Sequence, residues 1–457
     1  MRAKRRMSRR GFMTSAGVAA AGACGIGGKG MAVAAPEVVL KKSKAGACKP
    51  RPDLLDERSP AGAEVIQLTT QTEVPGSHLY MEAQVFTQDS KRFVLHRAAH
   101  AHGPCRNDPR HQYLLCDIED GCSLHVLTAE AGTVGASVSP DGKFLYYFVD
   151  ETKIGGGRLT LKRVGLDGSD RRTIMVVDSA FAGTKYRPSR LYPLSTISSD
   201  GRRLAISSFM GDGTMASVCW GLMVFDLQAA KVELVLHGPT WCNMHPQYSR
   251  SLDAERKHDI LVQENHGNEA TAAGAITRLV GGAGADIHVI RDDGTAFRDM
   301  PWGRDGNEFC QGHQCWRGRS DWAITSTGTR QPREAQLIEG RAAAKADHLG
   351  IKTPSGVRND LSREFPNPHF YHFATDMQGQ RFISDAQPFA EGGRIYTAEL
   401  GRAGEDALGD FQYVVNPKCS CKKGAHIHPF LSPDGSMGFF NSDESGLLQA
   451  YMVRGLT

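Results

Sequence analysis

Short apolar runs alternate with polar turns along most of the chain. In "SPDGKFLYYFV" (139–149) a Ser-Pro-Asp-Gly turn leads into aromatic and aliphatic residues, and "SSDGRRLAISS" (198–208) and "SPDGSMGFFNSD" (432–443) follow the same plan. Runs of this length, rich in Val, Ile, Phe and Tyr and bounded by Gly, Asp and Ser, are typical of β-strands. The pattern therefore predicts an all-β protein.

The turns recur at a regular interval. One residue marks each of seven turns, and these markers are Asp89, Gly142, Gly201, Arg256, Ser320, Gly379 and Gly435. Successive markers are roughly 53 to 64 residues apart, which is the length of a four-stranded sheet with generous loops. Seven such repeats predict a seven-bladed β-propeller over residues 61–457, with the blades arranged around a central channel.

The remaining segments complete this prediction. "AEVIQLTT" (63–70) is expected to form a strand beside "LLQAYMV" (447–453), which would join the first and last blades and hide two sheet edges. Residues 35–60, rich in Lys, Pro and Ala, are expected to form a linker. "REAQLIEGRAAAKADHLG" (333–350) has helical spacing, and we expect it to be an insertion on one face.

Composition is ordinary for a soluble globular protein, with 40% hydrophobic and 23% charged residues. The formal net charge of +4 is misleading, because seven basic residues and no acidic residue lie within residues 1–34. Without that segment 47 basic residues face 50 acidic ones, a net charge of −3. A nearly neutral chain gives no reason to expect a nucleic-acid partner.

The basic N-terminus has the features of an export signal. "MSRRGFMTSAGVAAAGACGIGG" (7–28) contains the paired arginines Arg9 and Arg10 ahead of an Ala- and Gly-rich stretch, and "AVAAP" (32–36) offers a cleavage site after Ala34. We interpret residues 1–34 as a twin-arginine signal peptide, which predicts a periplasmic or secreted protein. The stretch is too short and too Gly-rich to span a bilayer, so no transmembrane segment is expected.

Ten cysteines remain after residue 34, and an even number in an exported protein permits disulfides. Buried thiols are an equally good interpretation, because cysteine is common in sheet cores. No Cys-x-x-Cys pair occurs, which argues against a zinc-ribbon site.

Histidines precede five of the seven markers by 7 to 11 residues. They are His78 in "GSHLYME", His245 in "NMHPQYS", His313 in "QGHQCWR", His372 in "FYHFATD", and His426 with His428 in "AHIHPFLS". In a propeller this position opens the innermost strand of a blade, at the mouth of the channel. Core packing or surface exposure explains any single histidine, but five blades that deliver imidazoles to one rim indicate a site.

"GAHIHPFLSPDG" (424–435) places His426 and His428 two residues apart. In an extended strand, residues i and i+2 project from one face, so the two imidazoles would lie side by side. Such a pair suits a metal ion or an anionic substrate. Two surface histidines on an edge strand are the alternative.

The run of motifs resembles the oligogalacturonate lyases, seven-bladed polysaccharide lyases that are distantly similar to the propeller of the TolB translocation protein. The resemblance extends from "GAEVIQLTT" through "SHLYMEAQVF", "SVSPDGKFLYYFV", "HPQYS", "GHQCW" and "YHFATDMQGQRFISD" to "HIHPFLSPDG". It implies a carbon–oxygen lyase that cleaves an acidic, uronic-acid-containing oligo- or polysaccharide by β-elimination.

The resemblance also implies roles for single residues. The family's catalytic base matches His313 in "GHQCW", and the ligands of its divalent ion match His372, His426 and His428. That ion is typically Mn²⁺, with Zn²⁺ and Ca²⁺ as alternatives. Trp316 is expected to pack beneath the His313 ring.

Three further candidates for substrate binding are indicated by their positions along the predicted strands. Tyr80, His245 and His266 lie at a predicted strand start or on the following loop, where they would line the same face as the other histidines. We expect these three residues to bind the substrate. For Tyr80, core packing is the alternative.

Two positions depart from the family's pattern. Lys423 stands where the family has a metal-binding glutamine; a protonated lysine cannot bind a metal but can pair with a substrate carboxylate. Asp286 lies near the position that the catalytic arginine occupies in the family. The nearest arginines in this chain are Arg278 and Arg291, and we take Arg278 as the catalytic candidate. An acidic group there would repel a second uronate, so we expect a polymer that alternates uronate with another sugar, such as ulvan.

The chemistry suits these residue types. β-Elimination removes the weakly acidic proton on C5 of a uronate, and a cation beside the carboxylate stabilises the charge that develops. A neutral imidazole is suited to accept that proton, and a positioned base contributes on the order of 10²–10⁴-fold. Three histidines leave an ion open positions for a carboxylate.

Two other functions fit a propeller of this kind. One is a non-catalytic periplasmic binding domain like that of TolB, and the other is a glycoside hydrolase. A hydrolase needs two carboxylates that face the scissile bond. Glu264, Glu308 and Asp376 are the candidates, and each lies at a predicted strand end, where solvated acids are usual.

Overall fold

The computed structural model of the protein describes residues 47–98, 108–128, 130–153, 156–211, 219–271, 276–278, 284–302, 308–329, 336–342, 356–365, 370–422 and 424–456. Within these ranges nearly all regular structure is β-strand, and the strands form seven antiparallel blades and one separate hairpin. The predicted all-β, seven-bladed propeller is confirmed. The predicted export signal, residues 1–34, lies outside the described residues.

The chain begins with two strands that belong to the last blade, β1 (Lys49–Pro50) and β2 (Glu64–Gln67). Blade 1 then contains β3 (Gly76–His78), β4 (Arg92–Arg97), β5 (Gln112–Asp117) and β6 (Ser123–Val126). Blade 2 contains β7 (Thr133–Val138), β8 (Phe144–Lys153), β9 (Gly156–Gly165) and β10 (Arg172–Val177). Blade 3 contains β11 (Arg187–Ile197), β12 (Arg203–Gly211), β13 (Trp220–Asp226) and β14 (Lys231–Gly238).

Blade 4 is interrupted by the separate hairpin. Its strands are β15 (Gln247–Tyr248), β16 (Asp259–Asn265), β19 (Ala285–Arg291) and β20 (Arg298–Asp299), and the hairpin strands are β17 (Glu269–Ala270) and β18 (Ile276–Arg278). Blade 5 contains β21 (Glu308–Trp316), β22 (Trp322–Thr329), β23 (Gln336–Arg341) and β24 (Val357–Asp360). Blade 6 contains β25 (Phe370–Thr375), β26 (Arg381–Ala386), β27 (Arg394–Leu400) and β28 (Leu408–Val415). Blade 7 contains β29 (Phe430–Leu431), β30 (Met437–Ser442) and β31 (Gln449–Arg454), followed by β2 and β1.

The first strand of each blade lies nearest the channel. First strands of neighbouring blades contact one another, as β7 does with β11, β11 with β15, β21 with β25 and β25 with β29. Each of the seven sequence markers lies between the first and second strands of its blade, so the predicted repeat is confirmed. The marker turns therefore share one end of the channel, and the first strands begin at the other end.

Four marker turns share one hydrogen-bond pattern. In blade 2, Asp141 Oδ1 accepts hydrogen bonds from the Ser139 hydroxyl at 2.6 Å and from the Lys143 backbone N–H at 3.1 Å. The same pair of bonds recurs around Asp89, Asp200 and Asp434. The aspartate side chain accepts hydrogen bonds from turn groups that would otherwise lack a partner within the protein. The same motif therefore suits this point in each of the four blades.

Strands from both chain ends close the ring. In blade 7, β2 pairs antiparallel with β31, with Glu64 opposite Arg454 and Gln67 opposite Tyr451. The predicted pairing of 63–70 with 447–453 is therefore confirmed. This arrangement covers the edge of β31, which would otherwise be open to other chains.

A buried ion pair fastens these ends together. Arg51 Nη1 donates to Gln67 Oε1 at 3.1 Å, and its Nη2 donates to Glu444 Oε2 at 2.9 Å. Glu444 also accepts a hydrogen bond from the Tyr451 hydroxyl. The side chains of Arg51 and Glu444 are only 10% and 12% exposed, so each depends on the other for compensation of its charge.

Two segments differ from the sequence prediction. Residues 47–60 belong to the predicted linker, yet β1 extends blade 7, a 3₁₀ turn forms at Pro52–Leu54, and Leu54 is buried. The predicted helix within 333–350 is wrong for Gln336–Arg341, which is β23; Leu337 and Ile338 are both buried, because both faces of this strand are covered. Residues 333–335 and 343–350 lie outside the described residues.

Nine cysteines lie in the part of the chain that the structure describes, and no disulfide joins them. Seven of the nine are buried, in line with their interpretation as core thiols. Among the same residues, no helix combines the length and the apolar character that crossing a bilayer requires.

Replacement of Arg51 by alanine should destabilise the propeller by about 2–4 kcal/mol, because Glu444 would lose its counter-charge in a mostly buried position. Asp53 provides the matched control, since it pairs with the same guanidinium but its side chain is 57% exposed. Asp53→Asn should cost at most about 1 kcal/mol. Urea denaturation followed by circular dichroism measures both changes. Equal losses in the two variants would contradict the role of Arg51 in ring closure.

Candidate active site

Four blades deliver histidines to the end of the channel where the first strands begin. His245 shortly precedes β15, His313 and His372 lie within β21 and β25, and His426 and His428 precede β29. The marker turns lie at the opposite end. We call these five residues the histidine cluster.

Irregularities in the strand backbone orient two of these side chains. The register of β21 shifts at His313, and that of β25 shifts at His372. A bulge of this kind breaks the regular alternation of a strand and redirects a side chain, and bulges are common beside functional sites.

Two members of the cluster have a strained backbone. His245 and His428 have φ angles of 48° and 46°, and each is followed by a proline. Positive φ is unfavourable for a residue with a Cβ atom and persists where the surroundings fix it, often at functional sites.

The prediction that His426 and His428 share a face of one strand is wrong, because β29 begins only at Phe430. The loop nevertheless places their ring centroids 5.0 Å apart.

His372 lies at the centre of the cluster. Its ring centroid is 4.3 Å from that of His428, 5.7 Å from that of His426 and 4.6 Å from that of His313. His372, His426 and His428 each offer one nitrogen, and the three nitrogens lie within 4.8 Å of one another. The three predicted metal ligands are therefore close enough to hold one ion, with His313 beside them.

Asp385 orients His372. The backbone N–H of His372 donates to Asp385 Oδ1 at 2.7 Å, and His372 Nδ1 lies 2.8 Å from Oδ2. Burial raises the pKa of Asp385 to about 7, and in its ionised form the carboxylate accepts at both oxygens, so that Nδ1 of His372 carries the hydrogen and the lone pair of Nε2 is available to a metal. A carboxylate behind a histidine in this way is the usual support of a metal-binding imidazole.

Burial favours the neutral form of these rings. It lowers the pKa of His313 and of His372 well below the ordinary value, and the neighbouring imidazoles lower it further. Burial also lowers the pKa of His426. Neutral imidazole is the form that binds a metal or accepts a proton. His313 and His426 are only partly buried, so they are the members most accessible from the channel.

His245 lies on the other side of the cluster. Its Nδ1 is 3.2 Å from Glu82 Oε2, and its Nε2 is 3.3 Å from the Tyr192 hydroxyl. The Tyr80 ring lies between the two sides, with its centroid 4.9 Å from that of His245 and 4.7 Å from that of His428. Burial raises the pKa of the Tyr80 and Tyr192 hydroxyls, so both stay protonated.

Sequence reasoning missed three residues of this site, namely Glu82, Tyr192 and Asp385. Asp385 lies on the second strand of blade 6, at the end of the run "YHFATDMQGQRFISD", and nothing within that run distinguishes it as a site residue. Glu82 follows Tyr80 by two residues in "LYMEAQ", and this same-face spacing could have identified it.

Other predicted site residues lie elsewhere. His78 is fully buried between aromatic rings, and its Nε2 is 2.8 Å from the Tyr451 carbonyl oxygen, so it is a core histidine and the prediction of five contributing blades is wrong. His266 lies 2.8 Å from Asp286 on blade 4. Arg278 pairs with Glu269 at 3.2 Å across the hairpin, and 57% of its side chain is exposed.

The two remaining predictions concern Trp316 and Lys423. Trp316 Nε1 donates to the Gln247 carbonyl at 2.9 Å, and Trp316 belongs to the core between blades 4 and 5. The ring that contacts His313 is that of His372, tilted by 50°. Lys423 lies outside the described residues.

The donor set fits a divalent metal ion. Three imidazole nitrogens suit Zn²⁺ and similar first-row ions and leave positions open for oxygen ligands, whereas Ca²⁺ prefers oxygen alone. The carboxylate behind His372 and the neutral state of the rings favour the same use. Of the predicted ions, Ca²⁺ therefore fits these residues least.

Two solved structures are similar to this chain over nearly its whole length. An oligogalacturonate lyase in complex with manganese matches with a TM-score of 0.62 and 19% identity, over 91% of this chain and 98% of the other. The oligogalacturonate lyase of Vibrio parahaemolyticus matches with a TM-score of 0.61 and 15% identity, over 91% and 97%. At such identities the likeness establishes the fold, and these neighbours fit the resemblance stated from the motifs. No protein-family model and no curated protein sequence matches the chain.

The protein prepared without an affinity tag should contain a divalent metal that depends on the histidine cluster. The double variant His426→Ala with His428→Ala should lose about one equivalent of metal relative to wild type, because only one imidazole of the group would remain. His237→Ala, at an exposed histidine of β14, is the control and should retain it. Elemental analysis of each protein gives the result. An unchanged metal content in the double variant would refute the assignment.

Asp385→Asn should weaken metal binding by about 10–100-fold, because the amide no longer fixes the tautomer of His372 as the carboxylate does. Calorimetric titration of metal-depleted protein with Mn²⁺ measures the change. Asp410→Asn, at an exposed position of β28, is the matched control. Equal affinities in the two variants would show that Asp385 does not act on the metal site.

Proposed function

We propose that the protein is a polysaccharide lyase that cleaves a uronic-acid-containing oligo- or polysaccharide by metal-assisted β-elimination, with His313 as the base. One observation carries the proposal: the partly exposed His313 ring lies 4.6 Å from His372, within a group of three histidines suited to one ion. A base next to a cation is the arrangement that this reaction requires. The fold likeness to two oligogalacturonate lyases, one of them in complex with manganese, supports it.

His372, His426 and His428 would hold the ion, for which we propose Mn²⁺. When bound, a divalent ion supplies positive charge beside the substrate carboxylate and makes the neighbouring C–H bond more acidic. The partly exposed His426 leaves this side of the group open to the channel.

His313 accepts the proton from C5 of the uronate. The electron pair of the C5–H bond becomes the second bond between C4 and C5, the C4–O bond breaks, and the leaving oxygen takes a proton from water. The Tyr371 backbone hydrogen-bonds His313, and among the described residues Nδ1 of His313 has no hydrogen-bond partner. The lone pair of this buried Nδ1 is not used by any described protein group, so the ring can take up a proton.

His245 and Tyr80 act by positioning. Each is 2% exposed, so little of either side chain reaches the channel. Glu82 and Tyr192 hold His245, and Tyr80 packs between His245 and His428. Through Tyr80 this group packs against the ring of His428.

Asp286 has less influence on the substrate than its charge alone predicts. Its side chain is 9% exposed and lies 2.8 Å from His266 Nε2, so its charge is largely withheld from the channel. We therefore propose uronate polymers as the substrate class, with oligogalacturonate and alternating polymers such as ulvan as the substrates to compare. His266 and Arg278 receive no role in the reaction.

A glycoside hydrolase would need two available carboxylates. Asp385 and Glu82 are each engaged by a histidine, and Asp376 accepts hydrogen bonds from the backbone N–H groups of Gln380 and Arg381. The carboxylates of the site thus act as supports for imidazoles, which favours elimination over hydrolysis.

His313→Ala should lower turnover of a uronate polymer by at least about 10²-fold, because the proton acceptor is lost. Wild type and variant are incubated with Mn²⁺ and a panel of polyuronates, and the unsaturated product is followed by ultraviolet absorbance. Metal content and melting temperature should stay nearly unchanged, and His237→Ala should keep full activity. Full activity of the His313 variant would refute the base, and no product from any polyuronate with wild type would refute the reaction.

A further inference from the structure

A second group of ionisable side chains lies on blade 4. Glu264 on β16 is paired directly opposite Asp286 on β19, and His288 on β19 is opposite Asp299 on β20. Because Asp286 and His288 are two residues apart on one strand, all four side chains share a face of the sheet. We call them the blade 4 cluster.

This arrangement places like charges together. Two carboxylates directly opposite each other in an antiparallel pair destabilise a sheet. Here a third carboxylate, Asp299, lies next to them, and the side chains of Asp286 and Asp299 are only 9% and 8% exposed. The imidazoles of His266 and His288 face these carboxylates, and a divalent cation at this point would add further positive charge.

The distances suit a metal ion. Glu264, Asp286 and His288 each offer one atom, and these atoms lie within 4.8 Å of one another. His288 Nε2 is 3.3 Å from Glu264 Oε2. Two ligands of a tetrahedral ion with bonds of about 2.0–2.1 Å are about 3.3 Å apart, whereas a charge-assisted N–H···O bond is about 2.7–2.9 Å.

The surroundings hold the ligands in place. His288 Nδ1 lies 2.8 Å from Asp299 Oδ1, which directs Nε2 towards Glu264, as Asp385 directs His372 in the histidine cluster. The rings of Trp241 and Phe297 flank the imidazole at 5.6 and 4.7 Å. The Thr240 hydroxyl donates to Glu264 Oε1 at 2.5 Å, so the carboxylate is fixed as well.

We propose that Glu264, Asp286 and His288 bind a second divalent metal ion of the first transition row. One imidazole with two carboxylates suits Zn²⁺ or Mn²⁺. Glu264 is 20% exposed and His266, beside Asp286, is 33% exposed, so an ion can enter from this side. The site shares no ligand with the histidine cluster and does not depend on the proposed reaction.

Calorimetric titration with Zn²⁺, and separately with Mn²⁺, tests the site in full-length protein that carries His426→Ala and His428→Ala and has been stripped with a chelator. This background removes the first site. It should still bind about one equivalent of ion, with a dissociation constant well below about 1 mM. Adding Asp286→Asn or Glu264→Gln should weaken binding at least about tenfold.

Asp293→Asn, at an exposed residue of the turn between β19 and β20, is the control and should leave binding unchanged. Circular dichroism shows whether each variant is folded, and the partly exposed Glu264 gives a usable variant if Asp286→Asn does not fold. No binding in the two-histidine background, or binding that both blade 4 substitutions leave unaltered, would overturn the proposal and leave the cluster as a network of ion pairs. Metal analysis of the wild type and of the two-histidine variant tests the first site separately. Failure of the blade 4 site can therefore be told apart from failure of the first site.

Discussion

The pairing of β2 with β31 is the constraint on which the rest of the structure depends. A propeller blade contacts its neighbours on both sides, so the ring is complete only if the last blade is fastened to the first. Here the fastening uses backbone pairing between strands from the two ends of the domain, reinforced by the buried Arg51–Glu444 ion pair. The largest hydrophobic cluster crosses this junction, since it includes Val65 from one end and Val453 from the other.

Closure also creates the site. His245 and His428 are far apart in sequence, yet Tyr80 touches both, because blades 1, 4 and 7 meet only around the channel. Burying several imidazoles next to one another costs free energy of folding, because they lose their contact with water. Two of them also have unfavourable backbone angles. The closed ring holds them in place, and Asp385 and Glu82 fix their orientation from behind.

Periodic features of this fold were predictable from sequence, and contacts between distant strands were not. Each Ser-Pro-Asp-Gly turn satisfies its own backbone, so its position follows from local residues alone. The position ahead of a marker turn that located His313 and His372 also selected His78, whose environment is set by Phe93, Phe430 and Phe439 from other strands. The role of Asp385 could not be predicted from sequence either, because only the pairing of β25 with β26 brings Asp385 next to His372.

We propose that one set of histidines at this channel mouth holds a cation and that another, His313, accepts a proton. X-ray diffraction from manganese-soaked crystals, recorded at the manganese absorption edge, tests this account most directly. It predicts an anomalous difference peak bonded to His372, His426 and His428, with the His313 ring next to it but not bound. A cluster without a peak, or an ion bound through His313, would contradict it.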